Sequence, residues 1–133
     1  MPTLQNLITT TLKTIRHDAT VQEGARRMRD DKVGSLLVEH DERIVGIVTE
    51  TDIIRKCVAG GGDLSKEKMG AIMNSPVISI EVQRSPQDAH EMMADFHVRH
   101  LVVMDKGKIV GVLSVRDLLV YYKGVSEPKI TQD

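Results

Sequence analysis

Apolar and polar positions along the chain fall into two rhythms, and each rhythm occurs twice. Thr20-x-x-Glu23 has the form of a capping box, and Val21, Ala25 and Met28 follow on one side at helical spacing, which predicts an amphipathic helix. Two short aliphatic runs come next, at residues 35–39 and 44–49, parted by the polar His40-Asp41-Glu42-Arg43; together they predict a hairpin. A second helix starts at Asp52, and a short strand near residues 13–15 precedes the first. The same series returns further on. Ser85-Pro86-Gln87-Asp88 opens a helix carrying Ala89, Met93 and Phe96, with proline at its first position. Runs at 101–104 and 109–114 flank Asp105-Lys106-Gly107-Lys108, a hairpin signal; a helix follows from Asp117, and a strand near 78–80 leads in. Each unit therefore reads strand–helix–strand–strand–helix, an α/β (α+β) fold.

The two series are copies. A shift of 65 residues lays residues 33–55 on residues 98–120 without a gap. Val33, Leu36, Val38, Ile44, Val45, Gly46 and Asp52 are matched by Val98, Leu101, Val103, Ile109, Val110, Gly111 and Asp117. Leu7-Ile8 likewise falls on Ile72-Met73. A unit duplicated once implies a paired fold with pseudo-two-fold symmetry, whereas a solenoid wants three or more repeats. The expected division is a first domain at 7–58, a linker at 59–71, a second domain at 72–122 and a tail at 123–133. Within the linker, Ala59-Gly60-Gly61-Gly62-Asp63 reads as a flexible connection, and residues 65–73 as a short helical stretch. Residues 126–133 are polar, include Pro128, and read as a frayed end.

Composition narrows the function classes. Of 133 residues, 18 are basic and 19 acidic, for a net charge of -1, so the chain lacks the field that nonspecific nucleic-acid binding needs. Aromatics are 2% (Phe96, Tyr121 and Tyr122), too few for base-stacking platforms or aromatic cages. The core must then be aliphatic. One cysteine, Cys57, permits no internal disulfide and suits a reducing compartment; it reads as a small core residue on an apolar face with Ile53, Ile54 and Val58. No apolar run reaches the length of a membrane span and the first residues lack a signal-peptide pattern, so the expected location is cytoplasmic.

Taken together, Asp18-Ala-Thr-Val-Gln-Glu, Val33-Gly-Ser-Leu-Leu-Val and Gly46-Ile-Val-Thr-Glu-Thr-Asp52 resemble the motifs of the CBS domain, the cystathionine β-synthase regulatory unit. The second copy supplies Ile72-Met-Asn-Ser-Pro-Val-Ile-Ser-Ile, Val98-Arg-His-Leu-Val-Val and Gly111-Val-Leu-Ser-Val-Arg-Asp117. Occurring twice, in order and at a constant offset over about residues 7–122, they resemble a tandem pair, or Bateman module, in a stand-alone CBS domain protein. The resemblance implies two units packed pseudo-symmetrically, two clefts between them, and an adenosine-bearing ligand such as AMP, ADP, ATP or S-adenosylmethionine. It also implies a regulatory role, pairing into a homodimer, and an output through an unidentified protein effector, since no effector domain is evident in the chain.

Thr49 with Asp52 and Ser114 with Asp117 have a chemistry of their own. A hydroxyl with a carboxylate three residues on can simply tie off orphan amides at a strand-to-helix junction. The same junction can also face an anion with amides, while the carboxylate accepts the two donors of a ribose diol. Gly46 and Gly111 would let ligand or backbone come close. By the resemblance, one cleft combines Thr49 and Asp52 with Val77, Ile78, Arg99 and His100. There a guanidinium and an imidazole would take a phosphate. The other combines Ser114 and Asp117 with Thr14, Ile15, Gly34 and Ser35, and is poorer in charge.

Other motifs are weaker. His90-Glu-Met-Met-Ala94 lacks the final ligand of a zinc motif, and His97 and His100 have no carboxylate or cysteine at metal spacing, so no metal site is expected. The triglycine stretch lacks the Gly-Lys-[Ser/Thr] of a phosphate loop, and no nucleophile–histidine–carboxylate set is evident. The chain reads as a regulatory binding module and not an enzyme, with neither nucleic acid nor membrane as partner. A ligand-free dimerisation module and a nucleotide-processing enzyme are the alternatives.

Overall fold

The computed structural model describes residues 2–126, which pack as two units. One is Lys13–Val77; the other joins the residues up to Leu12 to those from Ile78 onward. The first unit contains β1 (Thr14–Arg16), α1 (Val21–Asp31), β2 (Ser35–His40), β3 (Arg43–Thr49), α2 (Glu50–Asp52) and α3 (Met69–Ile72). Between the last two helices, Ile53–Val58 continues α2 as a π-helical stretch. The second unit contains a 3-10 turn (Leu4–Asn6), β4 (Ser79–Glu81), α4 (Pro86–Phe96), β5 (His100–Asp105), β6 (Lys108–Ser114) and α5 (Val115–Ser126). Each sheet has three strands in sequence order, the first pair parallel and the second antiparallel. The strand–helix–strand–strand–helix order is therefore built twice.

Local chemistry explains the matched elements. Thr20 caps α1 by accepting from Glu23 N (3.1 Å) while Glu23 accepts from Thr20 N (3.1 Å). Ser85 and Asp88 close the same box on α4, behind Pro86. Both helices end on a left-handed residue, Lys32 (φ 56°) and His97 (φ 56°), and the following amides of Val33 and Val98 bond back to the carbonyls of Met28 and Met93. Both hairpins break register at the same place, between Val38 and Glu39 and between Val103 and Met104.

Each unit has its own aliphatic core. Val21, Met28, Leu36, Val38, Val48, Cys57, Met69 and Ile72 are buried together in the first; Leu4, Ile80, Ala89, Met93, Leu101, Val103, Leu113 and Leu118 in the second. Fully burying each such side chain stabilises by about 1.5–3 kcal/mol. Burial pushes the Cys57 thiol up, with smaller contributions from Glu67 and Asp63.

The leading segments of the two copies are exchanged. Residues 4–12 lead the first copy yet pack in the second unit, where Leu4 is fully buried and Thr9 bridges Val112. Residues 69–77 lead the second copy yet pack in the first unit, where Met69 is fully buried and Asn74 bridges Ile47. Gly46 and Gly111 are the crossing points. A Cβ on Gly46 would lie 2.9 Å from the Asn74 carbonyl oxygen, and one on Gly111 2.8 Å from that of Thr9. The close approach foreseen at these glycines is made by backbone.

Several finer expectations are corrected. Residues 65–73 do not form one helix; only Met69–Ile72 does. The carbonyls of Leu64 and Glu67 instead accept from the Gln22 and Val21 amides at the start of α1, so they do not close helical turns. The face proposed for Cys57 is split: Ile53 and Cys57 are buried, while Ile54 and Val58 are 60% and 53% exposed. The π-helical winding, with the Ala59 amide bonding five residues back to Ile54, shifts the faces that α-helical spacing assigns. Phe96, placed beside Ala89 and Met93, is 57% exposed at the last turn of α4. Residues 123–126 of the expected tail belong to α5, and 127–133 lie outside the described residues.

Candidate ligand-binding site

Each sheet ends in the same polar knot at its last strand-to-helix junction. After β3, the Thr49 amide donates to Asp52 Oδ2 (2.8 Å), the Thr49 hydroxyl donates to the same oxygen (3.0 Å), and Asp52 N donates back to Thr49 Oγ1 (3.2 Å). After β6, Ser114 N and Ser114 Oγ reach Asp117 Oδ2 at 2.8 and 3.0 Å, and Asp117 N returns to Ser114 Oγ at 3.1 Å. Both boxes anticipated from the spacing are thus formed, with nearly equal distances. A serine or threonine is required because one hydroxyl must both donate and accept.

The residues before the first hairpin strand stand next to the box of their own unit. Ser35 pairs with Thr49 in the ladder, and the Gly34 carbonyl accepts from Glu50 N at 3.1 Å. Likewise His100 pairs with Ser114, and the Arg99 carbonyl accepts from Val115 N at 2.9 Å. Arg99 is exposed, whereas His100, Gly34 and Ser35 are half-buried. Within the units, then, Gly34 and Ser35 lie by Thr49 and Asp52, and Arg99 and His100 lie by Ser114 and Asp117.

Four further candidates flank the short strands. Thr14 opens β1 opposite Leu37 and is half-buried, as is Val77 at the end of the first unit. Ile15 is buried in the first core, and Ile78 packs against the second while its carbonyl accepts from Val102 N at 3.0 Å. The side chains of Ile15 and Ile78 are turned to the cores.

Two residues at the first box escaped the sequence reading. The Asn74 side-chain amide donates to Asp52 Oδ2 at 2.7 Å, and the Lys56 ammonium stands 3.4 Å from Asp52 Oδ1. Lys56 also donates to Asn74 Oδ1 (2.8 Å) and to the Ile72 carbonyl (3.1 Å). Asp52 is left 7% exposed. Lys56 follows Asp52 by four residues, an ion-pair spacing on a helix, and could have been found from that alone. Asn74 could not, because it reaches the box only through the exchanged segment.

Elsewhere, α4 and α5 border an apolar groove of about 580 Å³ lined by residues that include Met93, Val98, Leu118 and Leu119. Among the described residues, no three His, Cys, Asp or Glu side chains are grouped to hold a metal ion, and no helix is long and apolar enough to cross a membrane.

Comparison with known proteins agrees with this architecture. The CBS domain family model matches residues 4–59 and again 69–124. The CBS domain-containing protein YhcV of Bacillus subtilis is 28% identical over 120 residues, spanning 90% of this chain and 85% of that one. The uncharacterized protein MK0525 of Methanopyrus kandleri is 36% identical over 103 residues, 75% of this chain but 52% of its own length. Among solved structures, a putative signal-transduction protein with CBS domains from Burkholderia ambifaria superposes with a TM-score of 0.89 at 28% identity, covering 98% of both chains. The hexameric CBS-CP12 protein from bloom-forming cyanobacteria gives 0.85 at 29% identity, over 98% of this chain and 77% of that one.

Proposed function

The chain belongs to the CBS domain family, as a tandem pair, and on that premise we propose that it senses an adenosine-bearing small molecule and passes the signal to a partner protein. CBS domain pairs are generally regulatory ligand-binding modules. The observation that carries the finer reading is the carboxylate–hydroxyl box, formed twice at equivalent junctions. In this reading the ribose of AMP, ADP, ATP or S-adenosylmethionine donates to Asp52 or Asp117. Arg99 and His100, which stand beside Ser114 and Asp117, are the guanidinium and imidazole that would meet a phosphate there. Gly34 and Ser35 stand in the matching place beside Thr49 and Asp52 and bring no charge to it. With aromatics at 2%, adenine is held by aliphatic side chains and backbone amides.

A ligand switches the module only by its differential affinity for two conformations. The exposed Phe96, Leu119, Val120 and Val125 favour a second copy of the chain as the cover, so that occupancy is read at a homodimer surface. Thermal melting with AMP, ADP, ATP and S-adenosylmethionine tests the proposal. A ligand at a hundred times its Kd stabilises the folded state by about 2.7 kcal/mol, several degrees in Tm. No shift with any of the four would leave a ligand-free dimerisation module as the better reading. Steady hydrolysis of ATP with magnesium would favour an enzyme instead.

A further inference from the structure

The two boxes are equal in backbone and unequal in vacancy. A carboxylate has about four lone-pair positions. Asp52 meets four donor groups: the Thr49 amide, the Thr49 hydroxyl, the Asn74 amide and the Lys56 ammonium. Asp117 meets two among the described residues, the Ser114 amide and hydroxyl. The repeat explains the difference residue by residue. Sixty-five positions away, Asn74 is matched by Thr9 and Lys56 by Tyr121. Thr9 makes the same backbone crossing over β6 that Asn74 makes over β3, but its side chain is too short to carry an amide to the carboxylate. Tyr121 has no ammonium, and its ring lies instead against Tyr122, with centroids 5.3 Å apart.

We propose that Asn74 and Lys56 are a built-in occupant of the first site. Asn74 donates to Asp52 Oδ2, and Lys56 stands as an ion pair at Oδ1, where the hydroxyls of a ribose would donate. Asp117 is therefore the carboxylate that takes the ligand, and the module binds one adenosyl ligand per chain. This rests on the functional reading above and sets its stoichiometry and its specificity-determining residues. The occupant is held from both ends. Lys56 is fixed by the Ile72 carbonyl and Asn74 Oδ1, and Asn74 is fixed by its two backbone bonds to Ile47. A ligand at Asp52 would have to displace the Asn74 amide from Asp52 Oδ2 and work beside a Lys56 ammonium that the Ile72 carbonyl and Asn74 Oδ1 keep in place.

Calorimetric titration with AMP and with ATP tests the proposal on the full chain. The wild-type chain should bind one equivalent, and Asp117→Asn should weaken that binding at least tenfold. Copying the second unit's residues into the first, Lys56→Tyr with Asn74→Thr, should raise the stoichiometry from one to two. Copying in the other direction, Thr9→Asn with Tyr121→Lys, should weaken binding at least tenfold. Should the double variants melt before they can be titrated, nitrogen NMR of the Lys56 ammonium in the wild-type chain gives the same answer: saturating AMP leaves its signal in place. Two equal sites in the wild-type chain, a stoichiometry that stays at one in a folded Lys56→Tyr/Asn74→Thr variant, or loss of the Lys56 signal on adding AMP would overturn the inference and leave the adenosyl-sensing function standing. Absence of binding by the wild-type chain and by every variant would overturn the function itself.

Discussion

The two units share a template and differ in how each position on it is filled. Both have the parallel–antiparallel sheet, the register break between the second and third hairpin pairs from the turn, the left-handed helix end and the hydroxyl–carboxylate box. Their fillings diverge at three places. The plug from the exchanged segment is Met69 over Gly24 in one unit and Leu4 in the other, where Ala89 replaces the glycine. The hairpin turn is Asp41-Glu42 in one and Lys106-Gly107 in the other. The box is closed by Asn74 and Lys56 in one and left with two donors in the other. Duplication thus conserves what the backbone requires, while side chains that only the site requires are free to drift apart. Function in such a pair is sought in the asymmetries.

The sharpest way to break the comparison is to remove the exchanged plugs. Leu4 and Met69 are both fully buried, one in each core. Truncating either to alanine should cost about 2–5 kcal/mol in denaturant unfolding. The informative readout is where protection is lost. Leu4→Ala should speed amide exchange in β4 to α5 while leaving β1 to β3 slow, although residue 4 leads the first copy. Met69→Ala should do the reverse. Loss of protection in β1 to β3 on Leu4→Ala would show that the leading segments are not exchanged.

A smaller effect separates the hairpin turns. Asp41 (φ 51°) and Glu42 (φ 63°) are both left-handed and neither is glycine, whereas the second turn has Lys106 (φ 51°) followed by Gly107 (φ 79°). Left-handed backbone costs an L-residue about 1–2 kcal/mol, which glycine escapes. Glu42→Gly should therefore stabilise by about 1 kcal/mol and Gly107→Glu should destabilise by about as much, read as opposite shifts of the denaturation midpoint. A Cβ on Gly107 meets nothing within 4 Å, so the backbone alone accounts for the second value. Equal signs for the two substitutions would mean that the turns are not equivalent.

The sequence carried the template well and the fillings poorly, for a physical reason. Hairpins, caps and boxes are local: Thr20 and Glu23, or Ser114 and Asp117, find each other within three residues, and the constant offset doubles every signal. The exchange of residues 4–12 and 69–77 is a long-range choice, so Leu64 and Glu67 fell within an expected linker although their carbonyls tie into the start of α1. The π-helical winding after Asp52 defeated a face assignment that assumed α-helical spacing. At the site, Asp52 and Asp117 were legible and looked alike. What distinguishes them, Asn74, comes from a segment whose destination no local pattern reveals.

The smallest test concerns the helix starts, where Glu23 in α1 is matched by Asp88 in α4. The Ser85 amide holds the Asp88 carboxyl below the usual carboxylate range, helped by the Ser85 hydroxyl and by Arg84, whose Nε is 3.1 Å away. The matched position to Arg84 in the first unit is Ala19, so α1 has no such cation. A carboxyl whose folded pKa is depressed adds stability above its unfolded value of about 4, and that stability fades as pH falls through the folded value. Asp88→Asn should therefore melt below the wild-type chain at pH near 7, and the gap should narrow only as pH falls through the depressed folded value, where the wild-type carboxyl also becomes neutral. Arg84→Gln should shrink the same gap less, because the amide of Ser85 contributes more than the guanidinium. A gap between wild type and Asp88→Asn that stays constant with pH would mean the box holds α4 by shape alone. In that case the two helix starts would differ in residue without differing in electrostatics.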